Sequence, residues 1–129
     1  MTKYLSFILL LSVTLSGYAQ NADSVYVREN YEKREVVIPM RDGVKLFANV
    51  YLPKDQSQQY PILLKRTPYS VRPYGTDQFP NSLGPSPYLM RDGYIFVYED
   101  VRGRYRSEGQ YDNMRPNRDS EDEIDESSD

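Results

Sequence analysis

Tyr60-Pro61-Ile62-Leu63-Leu64-Lys65-Arg66-Thr67-Pro68-Tyr69 is the stretch on which the reading of this chain turns. Ile62 to Leu64 form a continuous apolar run, which suits a strand covered on both faces, as in the middle of an α/β sheet. Pro68 stops the strand, fixes its own φ and confines Thr67 to extended backbone, so Tyr69 leaves the strand end on a stiff support. From these residues alone, Tyr69 is a packing or turn tyrosine first and a functional one second.

Upstream, Val44, Leu46, Ala48, Val50 and Leu52 alternate with Lys45, Phe47, Asn49 and Tyr51, nine residues of period two that define a strand. Before it, Lys33 to Pro39 carries the β-branched run Val36-Val37-Ile38, and Asp42-Gly43 between the two runs signals a hairpin. Asn21 to Tyr31 is an irregular or partly helical lead-in.

Downstream, Arg66 to Pro87 holds five prolines and two glycines in 22 residues and is expected to be loop. Ser86 to Asp92 is a short helix candidate closed by Gly93, and Tyr94 to Tyr98 is a third buried strand candidate. Met90-Arg91-Asp92-Gly93 repeats Met40-Arg41-Asp42-Gly43, but the flanks differ, so one turn chemistry is used twice without a domain repeat.

Composition narrows the chemistry. The 129 residues contain no histidine and no cysteine. The chain alone therefore supplies no Ser-His-Asp triad, Cys-His dyad, histidine-ligated zinc or disulfide, and no cofactor or metal is expected. Seven of the 19 acids lie in Asp119 to Asp129, leaving 16 bases against 12 acids over residues 1–118. A surplus of that size does not call for nucleic acid. Arg102, Arg104 and Arg106 around Tyr105 are the nearest thing to a basic patch. Glu99 and Asp100 do not make a carboxylate pair, because adjacent strand residues point to opposite faces.

Residues 1–19 read as a signal peptide. Lys3 starts it, Leu5 to Leu15 is a short apolar run, and Gly17-Tyr18-Ala19 supplies small residues for cleavage after Ala19. That run falls short of the roughly 20 residues of a bilayer span. Secretion or a periplasmic location is the expectation.

Four motifs stand in order: Pro39-Met40-Arg41-Asp42-Gly43-Val44-Lys45-Leu46; Lys65-Arg66-Thr67-Pro68-Tyr69; Asp92-Gly93-Tyr94; and Glu99-Asp100-Val101-Arg102-Gly103-Arg104-Tyr105 with Ser107-Glu108-Gly109. Together they resemble the start of the Xaa-Pro dipeptidyl-peptidase-like hydrolases, a group that includes cocaine-esterase-like enzymes and α-amino acid ester hydrolases. The resemblance runs from about Tyr31 to Asp129. It implies an α/β class, with residues 20–129 the N-terminal β-rich portion of an α/β-hydrolase domain, truncated before the nucleophile elbow. It also implies a serine hydrolase acting on a small peptide or ester substrate. The family's elbow, Gly-x-Ser-Tyr-x-Gly, does not occur in this sequence. One position carries over: the tyrosine of Arg-x-Pro-Tyr donates its hydroxyl to the oxyanion hole, and the matching residue is Tyr69. Asp100 and Arg102 are expected to pair and hold the turn after their strand. Glu123 to Asp129 matches the acidic segment ahead of the helix beneath the nucleophile strand, so the chain is expected to stop as that helix begins. The competing expectation is a small secreted β-rich binding or structural module without catalysis.

Overall fold

The computed structural model of the protein describes residues 22–113. The expected signal peptide at 1–19 and the acidic segment at 119–129 lie outside the described residues. Residues 22–30 form a helix, α1, the helical one of the two forms expected of the lead-in. Its C-terminal end is closed from afar: Lys54 donates its ammonium to the carbonyls of Arg28 (2.8 Å) and Glu29 (3.0 Å) and its backbone N–H to Asn30 (2.8 Å). A cation suits that end because the last carbonyls of a helix lack partners and carry partial negative charge.

Four strands follow, β1 (Tyr31–Pro39), β2 (Lys45–Pro53), β3 (Ile62–Thr67) and β4 (Ile95–Asp100), with a five-residue helix α2 (Pro87–Arg91) before the last. They form one sheet of order β1-β2-β4-β3. β1 and β2 make the expected hairpin, β2 and β4 pair antiparallel, and β3 and β4 pair parallel. The two Met-Arg-Asp-Gly copies serve two turns. Gly43, at φ +86°, closes the hairpin, and Gly93, at φ +83°, ends α2. Gly93 has a second constraint, since a Cβ there would lie 2.5 Å from the Tyr60 ring. Ser86 caps α2 by accepting the Tyr88 N–H.

The better covered face of the sheet is the aromatic one. Tyr31, Tyr51 and Phe96 are fully buried there with Val27 of α1, Met90 of α2 and Leu83 of the long loop. Tyr31 reaches across and donates its hydroxyl to the Met90 (2.8 Å) and Tyr94 (3.0 Å) carbonyls, both acceptors for one rotatable O–H. The aliphatic face carries Leu46 and Ala48, which are buried, and Ile62 and Leu64, which are not. The expectation that β3 is covered on both faces is therefore corrected among the described residues. β3 is the edge strand, and Ile62 and Leu64 are 66% and 55% exposed. No described helix is long and apolar enough to cross a membrane.

Candidate functional site

A parallel pair has both its C-terminal ends on one side, and in open α/β sheets ligands bind beyond those ends. Thr67 and Asp100 are register partners at the ends of β3 and β4, so the segments after each strand meet there. Tyr69 lies two residues past β3. The residue is 81% exposed, whereas the backbone around it is held at almost every step. The Val101 N–H donates to the Thr67 carbonyl (3.2 Å), Arg104 Nε donates to the Pro68 carbonyl (3.1 Å), and the Tyr69 N–H donates to Thr67 Oγ1 (3.1 Å). A phenol presented to solvent from a fixed backbone is what a preorganised donor requires.

The residue after Tyr69 has an unusual conformation. Ser70 has φ +52°, a left-handed value that costs a non-glycine residue about 1 kcal/mol or more. A chain of hydrogen bonds holds it there. Tyr74 donates its single hydroxyl proton to Asp100 Oδ2 (2.9 Å), so across the 3.0 Å contact between Ser70 Oγ and the Tyr74 oxygen the serine is the donor. Ser70 Oγ accepts the Arg72 N–H at 3.3 Å. Asp100 Oδ1 accepts the Val71 N–H (3.0 Å), and Oδ2 also accepts the Arg106 N–H (3.4 Å). Burial, with Asp100 reinforcing it, pushes the Tyr74 phenol up and keeps it a donor.

Further along, the loop is pinned to the aromatic face by β1 and β2. Asn49 Nδ2 donates to the carbonyls of Val71 (2.7 Å) and Pro73 (3.2 Å). Lys33, only 4% exposed, points its ammonium at three carbonyls, Pro73 (2.5 Å), Gly75 (2.7 Å) and Gln78 (3.0 Å). Glu35 accepts the Gly75 N–H and an Arg106 N–H (3.0 Å). Neither Lys33 nor Asn49 was singled out from sequence. The signal that could have found them is a polar residue on the same strand face as Tyr31 and Tyr51, where a core-facing side chain is due.

The expected Asp100–Arg102 pair is not formed. Arg102 reaches instead to Asp42 in the hairpin turn, with Nη1 2.6 Å from Oδ2 and Nη2 3.5 Å from Oδ1. Asp100 is occupied by Val71, Tyr74 and Arg106, and its side chain leaves β4 on the loop-covered face. Glu99 faces the other way and pairs with Arg66 at 2.7 Å. The arginines around Tyr105 do not act as a shared patch: Arg102 holds Asp42, Arg106 holds Glu35, and Arg104 stacks on Tyr105 and Tyr111 at 5.3 and 5.0 Å. Among the described residues there is no cluster of three or more side chains able to hold a metal ion. Tyr69 thus stands exposed at the strand ends, and this sequence brings no histidine to it.

The sheet, passing from an antiparallel hairpin to a parallel pair, matches the N-terminal β-rich part of an α/β-hydrolase domain. The chain belongs to the X-Pro dipeptidyl-peptidase family, S15, whose sequence model matches residues 42–128. A cocaine esterase of Rhodococcus sp. (strain MB1 Bresler) is 41% identical over 78 residues, 59% of this chain and 13% of the esterase. Among solved structures, an α-amino acid ester hydrolase shares 43% identity with a TM-score of 0.56, over 67% of this chain and 15% of that one. An aminopeptidase from a marine sediment Thaumarchaeota archaeon shares 41% identity with a TM-score of 0.56, at the same coverage of both chains. The chain thus spans about one seventh of the length of each relative.

Proposed function

We propose that the chain is the N-terminal sheet of an exported serine hydrolase that cleaves peptide or ester bonds, in which the Tyr69 hydroxyl donates to the oxyanion. The observation that carries this reading is the contrast at Tyr69, a rigidly held backbone under an exposed phenol at the C-terminal ends of two parallel strands. Family membership and the relatives named as esterases and a peptidase support the reaction class. The leader at residues 1–19 supports export. In acyl transfer, negative charge builds on the carbonyl oxygen, and one donor fixed beforehand lowers the barrier by about 2.7 to 4 kcal/mol. This sequence has no histidine and no Gly-x-Ser-Tyr-x-Gly elbow, so nucleophile and base come from other polypeptide.

The test is made on the polypeptide that joins this segment to such an elbow. With an ester or dipeptide substrate, Tyr69→Phe lowers kcat by about 100-fold or more and leaves KM nearly unchanged, because the bond is made in the transition state. An unaltered kcat, or a gene in which no elbow accompanies this segment, would overturn the proposal.

A further inference from the structure

The mechanism above uses the Tyr69 hydroxyl and leaves unexplained why a carboxylate with no exposure stands behind it. Asp100 is 0% exposed, and a buried carboxylate is costly unless its oxygens are well supplied with donors. It has three, and two of them, the Val71 N–H and the Tyr74 O–H, belong to the segment that leaves Tyr69. Through Tyr74 it also reaches Ser70, whose left-handed φ sets the direction in which the chain departs from Tyr69. β4 is the central strand beside β3, so this carboxylate is fixed to the sheet, whereas the 68–78 segment has no ladder of its own.

We propose that Asp100 is a positioning residue for Tyr69, holding residues 70–74 through Val71 and Tyr74 so that the phenol is aimed before substrate arrives. This rests on the reading of Tyr69 as an oxyanion donor. Asp100 does not touch substrate, and its effect passes through the tyrosine. Arg104, on Pro68, holds the segment from the other side. Asp100 is the stronger support because it holds Val71, next to the strained Ser70, and Tyr74, which Ser70 contacts.

Asp100→Asn keeps the size of the side chain but turns one acceptor oxygen into an NH2 group, which cannot receive both donors. In the hydrolase polypeptide it is expected to lower kcat about ten-fold with KM within about two-fold, and to cost less than about two-fold once Tyr69 is already phenylalanine, since two residues acting through one contact are non-additive. An equal loss in both backgrounds, or no loss in either, overturns the proposal. If Asp100→Asn does not fold, Tyr74→Phe removes the relay hydroxyl and leaves the Val71 bond, with the same non-additivity expected. A second readout is independent of catalysis. With 3-fluorotyrosine incorporated into this chain, Asp100→Asn or Tyr74→Phe shifts or broadens the Tyr69 fluorine resonance and leaves those of the buried Tyr31 and Tyr51 in place. A Tyr69 resonance unchanged, or core resonances moved as much, counts against Asp100. If Tyr69→Phe alone leaves kcat intact while the Tyr69 resonance responds, the oxyanion reading fails and the positioning stands.

Discussion

Asp42 and Arg102 lie 60 residues apart, and neither one's neighbourhood in the sequence names the other. Tyr69 was singled out from sequence because Thr67-Pro68 is local backbone chemistry and the family motif ends on that tyrosine. Arg102 was assigned the nearest acid, Asp100, and the structure gives that acid a different task. The Asp42 contact has a measurable consequence. Arg102's hydrogen bond, with the Val44 N–H as a further donor, holds the Asp42 carboxyl below the usual carboxylate range. The folded state therefore keeps this charge to lower pH than the unfolded chain does. Its contribution to stability is complete above the unfolded value of about 4 and is lost as pH falls through the lower folded value. Asp42→Asn should lower the thermal midpoint by a constant amount above about pH 5, with the difference from the parent shrinking toward zero in acid. A difference that does not change between pH 2 and 7 would show that the Arg102 contact contributes no charge-dependent stability.

At the scale of elements, alternation located β2, and the glycines of the two Met-Arg-Asp-Gly copies located the turns, but neither signal says which face is better covered. Val44 to Leu52 reads as an aliphatic core face, yet Phe47, Asn49 and Tyr51 opposite are buried as well, because the 68–86 segment folds over them. Period two reports that two faces differ, and the covering of each is decided by chain that lies elsewhere. β3 makes the same point from the other side. Its apolar run marks a strand, which pairs parallel, while Ile62 and Leu64 at 66% and 55% exposure keep only part of the roughly 1.5 to 3 kcal/mol that full burial of such a side chain contributes. An apolar edge strand is a template for further strands. Ile62→Lys with Leu64→Lys should therefore raise the concentration at which this chain self-associates, as read by light scattering. Unchanged scattering would place the sticky surface elsewhere.

For the molecule as a whole, the order of motifs carried the family, and the strand order was not legible. That β4 inserts between β2 and β3 depends on a parallel crossover through a long proline-rich loop and a five-residue helix, and no local pattern encodes it. That loop is fastened less by apolar packing than by single polar side chains standing up from the sheet. Among them Lys33 has a chemical consequence. An ammonium has no lone pair, and one whose three N–H groups are all engaged by the Pro73, Gly75 and Gln78 carbonyls is held in that form and shielded from an electrophile until the loop lifts. Lys33 is thus a latch whose opening can be timed. With an amine-acylating reagent, Lys45, Lys54 and Lys65 should be modified first and Lys33 last, by peptide mass spectrometry, and its rate should stop rising with reagent once opening limits it. Early labelling of Lys33 would mean that the loop is loose over the sheet in solution. Otherwise, the acylation rate of this one amine reports how often the wall behind Tyr69 comes undone.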